Sequence, residues 1–267
     1  MSRRLRAIAA ETVAIVERGG YRASSGAWVD IAEDVRAAIA GTRHYLPGGA
    51  LPEPGPSHPT PDIEVTAEST LAAGRRLGSG TAALVFASAR NAGGGFLTGA
   101  RAQEEDIARA SALYACLTTA PEFYAFHRAH SDLRYSDRVI YSPDVPVFRD
   151  DAHVLLEDPY RVSFITAAAP NLQAVRRNQP DRIATVPAAV RARAERVLAV
   201  AAAHGHHRLV LGAWGCGVFG NEPAVVAGAW SDALHRVPHF DRVVFAVLDR
   251  APATPTLRTF ADILGRG

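Results

Sequence analysis

The 267-residue chain contains no lysine, so all 29 of its basic side chains are arginine. It has only two cysteines, too few to staple a small secreted scaffold. Long apolar runs are missing too: the longest, Val197 to Ala203, falls far short of the roughly 20 residues that span a bilayer. The net charge of +2 lacks the basic surplus of a dedicated nucleic-acid binder. Arg3, Arg4 and Arg6 imitate the start of a secretion signal. Glu11, Glu17 and Arg18 interrupt the apolar stretch such a signal would need next, and no small-residue cleavage site appears. These absences point to a soluble cytoplasmic protein. The missing lysine fits either selection for bidentate phosphate contacts or GC-rich coding, and the many Ala, Gly and Pro residues side with coding.

What is present is a well-filled globular composition, 48% hydrophobic, in which apolar strands alternate with amphipathic helices. Arg3–Arg18 reads as an amphipathic helix stopped by Gly19-Gly20, and Trp28–Ala40 as a second. Tyr45–Asp62 holds six prolines and reads as an irregular connection. Strands are expected at Ile63–Thr66, Thr81–Ala87, Arg138–Tyr141, Val145–Phe148, Val162–Ala167, His207–Ala213 and Asp241–Leu248. Helices are expected at Glu68–Leu77, Arg101–Leu117, after Pro121, and over Pro187–Ala203, Glu222–Leu234 and Leu257–Leu264. This alternation implies an α/β fold with a mixed sheet covered on both faces. Residues 1–267 read as one domain, with 1–62 an N-terminal helical extension and Pro-rich connection belonging to it.

Two glycine-rich loops each come directly after a buried strand, at the sheet edge where open α/β folds bind ligands. The first carries Asn91, then Gly93-Gly94-Gly95, then Gln103-Glu104-Glu105 in the first turn of the next helix. Acids favour a helix N-terminus for dipole reasons alone. That does not account for three glycines, whose bare backbone can approach a ligand closely. The second loop runs Gly215-Cys216-Gly217-Val218-Phe219-Gly220, formally the G-x-G-x-x-G dinucleotide pattern. Only 18 residues remain after Asp249, too few for the rest of a dinucleotide-binding half, so a local phosphate-cradling loop is the reading that survives. Phe219 can stack on a base or pack in the core. Cys216 lacks the spacing of a nucleophile elbow. His204, His206 and His207 read as a helix-to-strand turn and not as a zinc site.

Gly93-Gly94-Gly95, a seven-residue spacer and Gln103-Glu104-Glu105 match the G-G-G-x(6–8)-Q-E-E signature, and the chain resembles the bacterial poly(ADP-ribose) glycohydrolases from about Ile63 to Leu248. Tyr141–Arg149, Thr166–Asn171 and Leu211–Gly220 are similar to later blocks of that family. The resemblance implies a macrodomain-like three-layer α/β/α sandwich with an added N-terminal helical segment. It implies Glu105 as the catalytic acid, Glu104 on a ribose hydroxyl, and Asn91 on the distal ribose. Gly93–Gly95 would pack against that ribose and the adjoining phosphate, beside Gln103. Gly215, Cys216, Gly217, Val218 and Gly220 would form the diphosphate loop, with Phe219 stacking on adenine. In relatives an N-terminal segment caps the terminal ribose and restricts cleavage to chain ends; no motif in 1–62 aligns with it. No cofactor or metal is implied. The expected partners are poly(ADP-ribose), ADP-ribose and ADP-ribosylated proteins, with no membrane, no sequence-specific nucleic acid, and a monomeric enzyme.

Physically, cleaving a ribose–ribose bond passes through an oxocarbenium-like transition state and needs a carboxylic acid to protonate the departing oxygen. Adjacent helical residues point roughly 100° apart, so Glu104 and Glu105 cannot flank one bond as paired glycosidase carboxyls do. Glu105 is therefore expected to act alone as acid and then base while Glu104 positions substrate. Two close carboxyls also raise each other's proton affinity. Competing readings are an ADP-ribose reader, against which the intact acidic pair argues, a hydrolase of single ADP-ribose groups, and a nicotinamide-dependent oxidoreductase built on Gly215–Gly220.

Overall fold

A computed structural model describes residues 2–55 and 60–265. Its elements in chain order are α1 (Arg3–Arg18), β1 (Gly20–Arg22), β2 (Trp28–Asp30), α2 (Ala32–Gly41), β3 (Arg43–Tyr45), β4 (Asp62–Thr66) and α3 (Thr70–Leu77). Next come β5 (Thr81–Phe86), α4 (Gln103–Ala110), α5 (Leu113–Thr118), α6 (Pro121–Ala129), β6 (Val139–Arg149), β7 (Leu155–Ala167) and α7 (Leu172–Asn178). The chain closes with α8 (Val186–Ala203), β8 (Arg208–Leu211), α9 (Pro223–Arg236), β9 (Arg242–Ala246) and α10 (Pro255–Leu264). Residues 56–59 of the Pro-rich connection lie outside the described residues.

A seven-stranded sheet in the order β3-β6-β7-β5-β8-β9-β4 forms the middle layer. The five strands from β7 to β4 run parallel, β6 is antiparallel to β7, and β3 is antiparallel to β6. Side chains alternate across the strands. Ala82, Leu84, Leu209, Leu211, Val243 and Phe245 join one core with residues of α7 to α10. Ala83, Val85, Val210, Val244 and Ala246 join the other, with α2 to α6. Both faces are covered, which is why these strands read as continuous apolar runs. The expected three-layer arrangement with a mixed sheet is therefore what forms.

Several local expectations are corrected. Trp28–Asp30 is a strand paired with Gly20–Arg22, not the start of a helix, and α2 begins only at Ala32. The helix expected over Arg101–Leu117 is broken at Ser111, which turns extended (φ −144°, ψ 175°) to bridge Val147. Its hydroxyl accepts from Leu113 N at 3.2 Å, starting the second helix. Arg138–Tyr141 and Val145–Phe148 are one strand, bulged between Ser142 and Val145 where Asp144 takes φ 43°. Such a bulge carries a strand past residues that cannot keep the ladder, here Pro143 and Asp144.

The N-terminal helix packs on α4 and the turn before it. Ala9, Phe96 and Ala108 form a small core of their own. Thr12 Oγ1 donates to Arg109 O at 2.6 Å, and Ser2 N donates to Gly99 O at 3.2 Å. Arg109, fully buried, donates to Ala100 O at 2.8 Å. So α1 clamps the short 3-10 turn Phe96–Thr98 against α4.

Candidate active site

The carboxyl ends of β5, β8 and β9 open on a cleft of about 800 Å³. Its walls include Phe86–Asn91, Gln103–Asp106, Tyr135, Ala213–Phe219 and Ala246–Arg250. This is the edge at which parallel strands leave room for a ligand.

The acidic wall is built by α4 and the loop after β5. Glu104 and Glu105 are 3% and 8% exposed. Glu104 Oε2 accepts from Ser88 N at 2.6 Å, and Glu105 Oε1 accepts from Gly95 N at 2.9 Å. The second oxygen of each, Glu104 Oε1 and Glu105 Oε2, is buried without a protein partner among the described residues. Burial holds the Glu104 carboxyl well above the usual carboxylate range; the Ser88 amide opposes this and the charge of Glu105 adds to it. Gln103 also lines the cleft, but its amide is occupied. Oε1 accepts from Phe86 N at 2.8 Å, and Nε2 donates to Leu84 O at 2.7 Å and Thr70 Oγ1 at 3.1 Å. It sews the start of α4 to the end of β5 and so aims the two acids.

The glycine triplet packs against the acidic pair. Gly93, Gly94 and Gly95 are not among the residues that line this cavity, and Gly94 lies against both carboxyls. Gly94 N donates to Asn91 O at 3.0 Å, and the Gly95 amide is spent on Glu105. Gly94 takes φ +58°, and a Cβ there would fall on Glu105 Oε1 and sit 3.0 Å from Glu104 Oε2. A Cβ at Gly95 would meet Ala100 Cβ at 2.6 Å. The triplet thus makes room for two carboxyls. Asn91 does reach the cleft, and its side chain is exposed there.

The second loop contrasts with this. Gly215, Cys216, Gly217, Val218 and Phe219 line the cleft, whereas Gly220 packs away from it on Gln173. Trp214, buried, donates its Nε1–H to Ala167 O at 3.0 Å; Asn221 Nδ2 donates to Pro170 O at 2.8 Å. These bonds tie the two ends of the loop to the end of β7 and to the segment that follows it. The amides of Gly215, Gly217, Val218 and Phe219 find no acceptor among the described residues. Burial pushes the Cys216 thiol up to about 12, which keeps it a neutral wall residue and no nucleophile.

Tyr135 is the site residue that sequence reasoning missed. Its backbone is left-handed (φ 61°), an uncommon state for a bulky residue, and its ring lies 6.1 Å from that of Phe219 across the cleft wall. Buried Arg193 supports that segment, donating to Arg134 O and Ala168 O at 2.9 and 2.6 Å and to Asp137 at 2.9 Å. No local pattern marks Tyr135. The histidines after α8 are all engaged elsewhere: His204 stacks on Tyr141 at 3.6 Å, His206 Nε2 pairs with the Tyr141 hydroxyl at 2.7 Å, and His207 stacks on His239 at 4.5 Å.

Known proteins share this architecture. The profile described as the microbial-type PARG catalytic domain, PARG being poly(ADP-ribose) glycohydrolase, matches residues 9–150. The chain belongs to the microbial-type PARG family. Among solved structures, the poly(ADP-ribose) glycohydrolase of Thermomonospora curvata is 50% identical, with 98% of this chain and 100% of that one covered and a TM-score of 0.91. The same enzyme bound to the inhibitor ADP-HPD gives 51%, with 98% and 99% covered and 0.90. The poly(ADP-ribose) glycohydrolase of Deinococcus radiodurans in complex with ADP-ribose is 45% identical, covering 85% and 96%, with a TM-score of 0.79. No curated protein matches the chain. The PARG profile reaches back to residue 9, into the N-terminal segment where no motif was legible. In this PARG-family chain no described residue before Glu68 lines the cleft. No helix among the described residues is long and apolar enough to cross a membrane.

Proposed function

We propose that the chain hydrolyses the ribose–ribose O-glycosidic bond of poly(ADP-ribose), releasing ADP-ribose from chain ends, with Glu105 as general acid and then base. The observation that carries this is the buried pair Glu104–Glu105, each with one free oxygen, inside a PARG-family cleft. A reader of ADP-ribose has no use for two desolvated carboxyls, which are costly to bury.

Glu105, fixed through Oε1 by the Gly95 amide, turns Oε2 to the bond. In its acid form it gives its proton to the departing ribose oxygen as the C1–oxygen bond breaks. The resulting carboxylate takes a proton from the water that attacks the oxocarbenium carbon, which restores the acid. Glu104 meets a ribose hydroxyl with Oε1 and holds the sugar still. Both carboxyls converge on Gly94 from one side, so neither can act as a second catalytic group across the ring. Asn91 lies against the distal ribose, the free amides of Gly215 and Gly217–Phe219 take the diphosphate, and Phe219 with Tyr135 holds adenine. A cleft of this volume encloses one small ligand, which supports recognition of a single terminal unit.

Residues 2–265 would work as one monomeric unit. The free thiols Cys116 and Cys216 suit a reducing compartment, and we place the enzyme in the cytoplasm, acting on ADP-ribosylated proteins. Incubation with poly(ADP-ribose), with products resolved by length, tests the reading. Monomeric ADP-ribose from the first time points is expected. Early oligomers overturn cleavage from chain ends, and no product at all leaves a binding module.

A further inference from the structure

Beside the cleft lies a second, shallower groove, lined by Ser2, Arg4, Leu5, Gly99, Ala100 and Arg101. Arg101 stands on the wall of both. The groove is a product of the α1 clamp: Ser2 N donates to Gly99 O, and Gly99 takes φ +79° with no room for a Cβ against Ser2 O and Arg6. The turn that floors it runs back to Gly95, since Ala100 N donates to Gly95 O at 3.0 Å. Gly95 is the residue whose amide holds Glu105. So the groove begins one turn from the catalytic carboxyl, on α4's side of the cleft. The loop of Gly215–Phe219, after β8, forms another wall.

The charge in this groove is of one sign and uncompensated. Arg4 and Arg101 are exposed and have no carboxylate partner among the described residues. The neighbouring acids are engaged: Asp106 pairs with buried Arg109, and Glu11 with Arg149. The first turn of α1 holds no acid. Two unpaired guanidiniums flanking a groove are suited to an anion with several oxygens, which Arg grips through paired N–H donors.

The reaction supplies such an anion. When the bond over Glu105 breaks, the leaving group is the next unit of the polymer, and that unit carries its own diphosphate. We propose that the groove between α1 and the turn before α4 binds the diphosphate of the leaving unit, gripped by Arg4 and Arg101. This rests on the glycohydrolase reading of the cleft. It gives the N-terminal helix a substrate role outside the cleft, where it selects polymer over single ADP-ribose groups.

The test compares two substrates on the full chain: long poly(ADP-ribose), and an ADP-ribose carrying a small uncharged aromatic leaving group at the same anomeric carbon. Arg4→Ala is expected to lower kcat/KM for polymer about tenfold, through KM. It should leave turnover of the small substrate and affinity for ADP-ribose at wild-type values. Arg4→Ala/Arg101→Ala should lower the polymer-to-small-substrate ratio further, and Arg4→Lys should restore part of it. Polymer turnover by the wild type should also fall more steeply with salt than turnover by the double variant. Equal losses on both substrates make the arginines merely structural and overturn the proposal, as does unchanged polymer turnover in the double variant. Wild-type protein that cleaves neither substrate would refute the glycohydrolase reading itself, a distinct outcome.

Discussion

The two glycine-rich loops have similar sequences and the same position in the fold, yet they do opposite things with their backbones. The loop after β5 consumes its amides internally: Gly94 N on Asn91 O and Gly95 N on Glu105. Its glycines exist to leave space, because a Cβ at Gly94 would occupy the site of a carboxyl. The loop after β8 is anchored through Trp214, Asn221 and the Phe219 carbonyl, which accepts from Gln173 N, and the amides of Gly215, Gly217, Val218 and Phe219 find no acceptor among the described residues. Glycine therefore makes room for side chains in one loop and leaves backbone donors unspent in the other.

The largest effect should come from the first loop's charge. Glu105→Gln keeps the acceptor for Gly95 N but loses the proton. Turnover of poly(ADP-ribose) should fall about 10²–10⁴-fold while calorimetric affinity for ADP-ribose changes little. Turnover near the wild-type rate in that variant would remove Glu105 from its role. Gly94→Ala should cost about a hundredfold in kcat, because it displaces Glu105. It should also destabilise the fold by about 1–2 kcal/mol through the left-handed backbone, measurable by denaturant unfolding. Phe219→Ala should raise KM about tenfold with kcat nearly unchanged, the pattern expected for lost stacking. A kcat loss instead would mean that Phe219 shapes the acidic wall.

A pH experiment separates the loops in another way. The Glu104 carboxyl is neutral over a wider range in the folded protein than in the unfolded chain, so the folded state holds the extra proton. The Glu104 contribution to stability is then fully present below the unfolded carboxyl range and is lost as pH rises through the raised folded value. Between about pH 5 and pH 8 the wild-type Tm should fall more than that of Glu104→Gln, which has no proton to lose. Parallel Tm profiles would show that Glu104 is not held neutral. The smallest effect is expected at Gly217, where a Cβ meets nothing within 4 Å and φ is not left-handed. Gly217→Ala should change stability by less than about 0.5 kcal/mol. Its contrast with Gly94→Ala measures how differently the two loops use glycine.

Much of the fold was legible because strands buried on both faces advertise themselves as apolar runs: Thr81–Ala87 and Asp241–Leu248 contain β5 and β9. Breaks imposed from a distance were not legible. Ser111 interrupts a helical pattern because Val147 lies opposite it, and Trp28 joins a hairpin because Gly20–Arg22 offers it a partner. At the site, the spacing of Gly93–Gly95 and Gln103–Glu105 marked the acidic wall. It did not reveal that the Gln103 side chain is wholly engaged with β5 and Thr70.

Alternation of the layers, the placement of two glycine loops after strands, and the pair of adjacent acids can be read from the amino-acid order alone. These are local properties, carried by residues within a few positions of one another. Which amides are free and which are spent, the placement of Tyr135 beside Phe219, and the groove that α1 borders at Arg101 depend on packing between distant segments. Whether a donor is vacant depends on acceptors far along the chain. Those acceptors come within reach only when the layers pack.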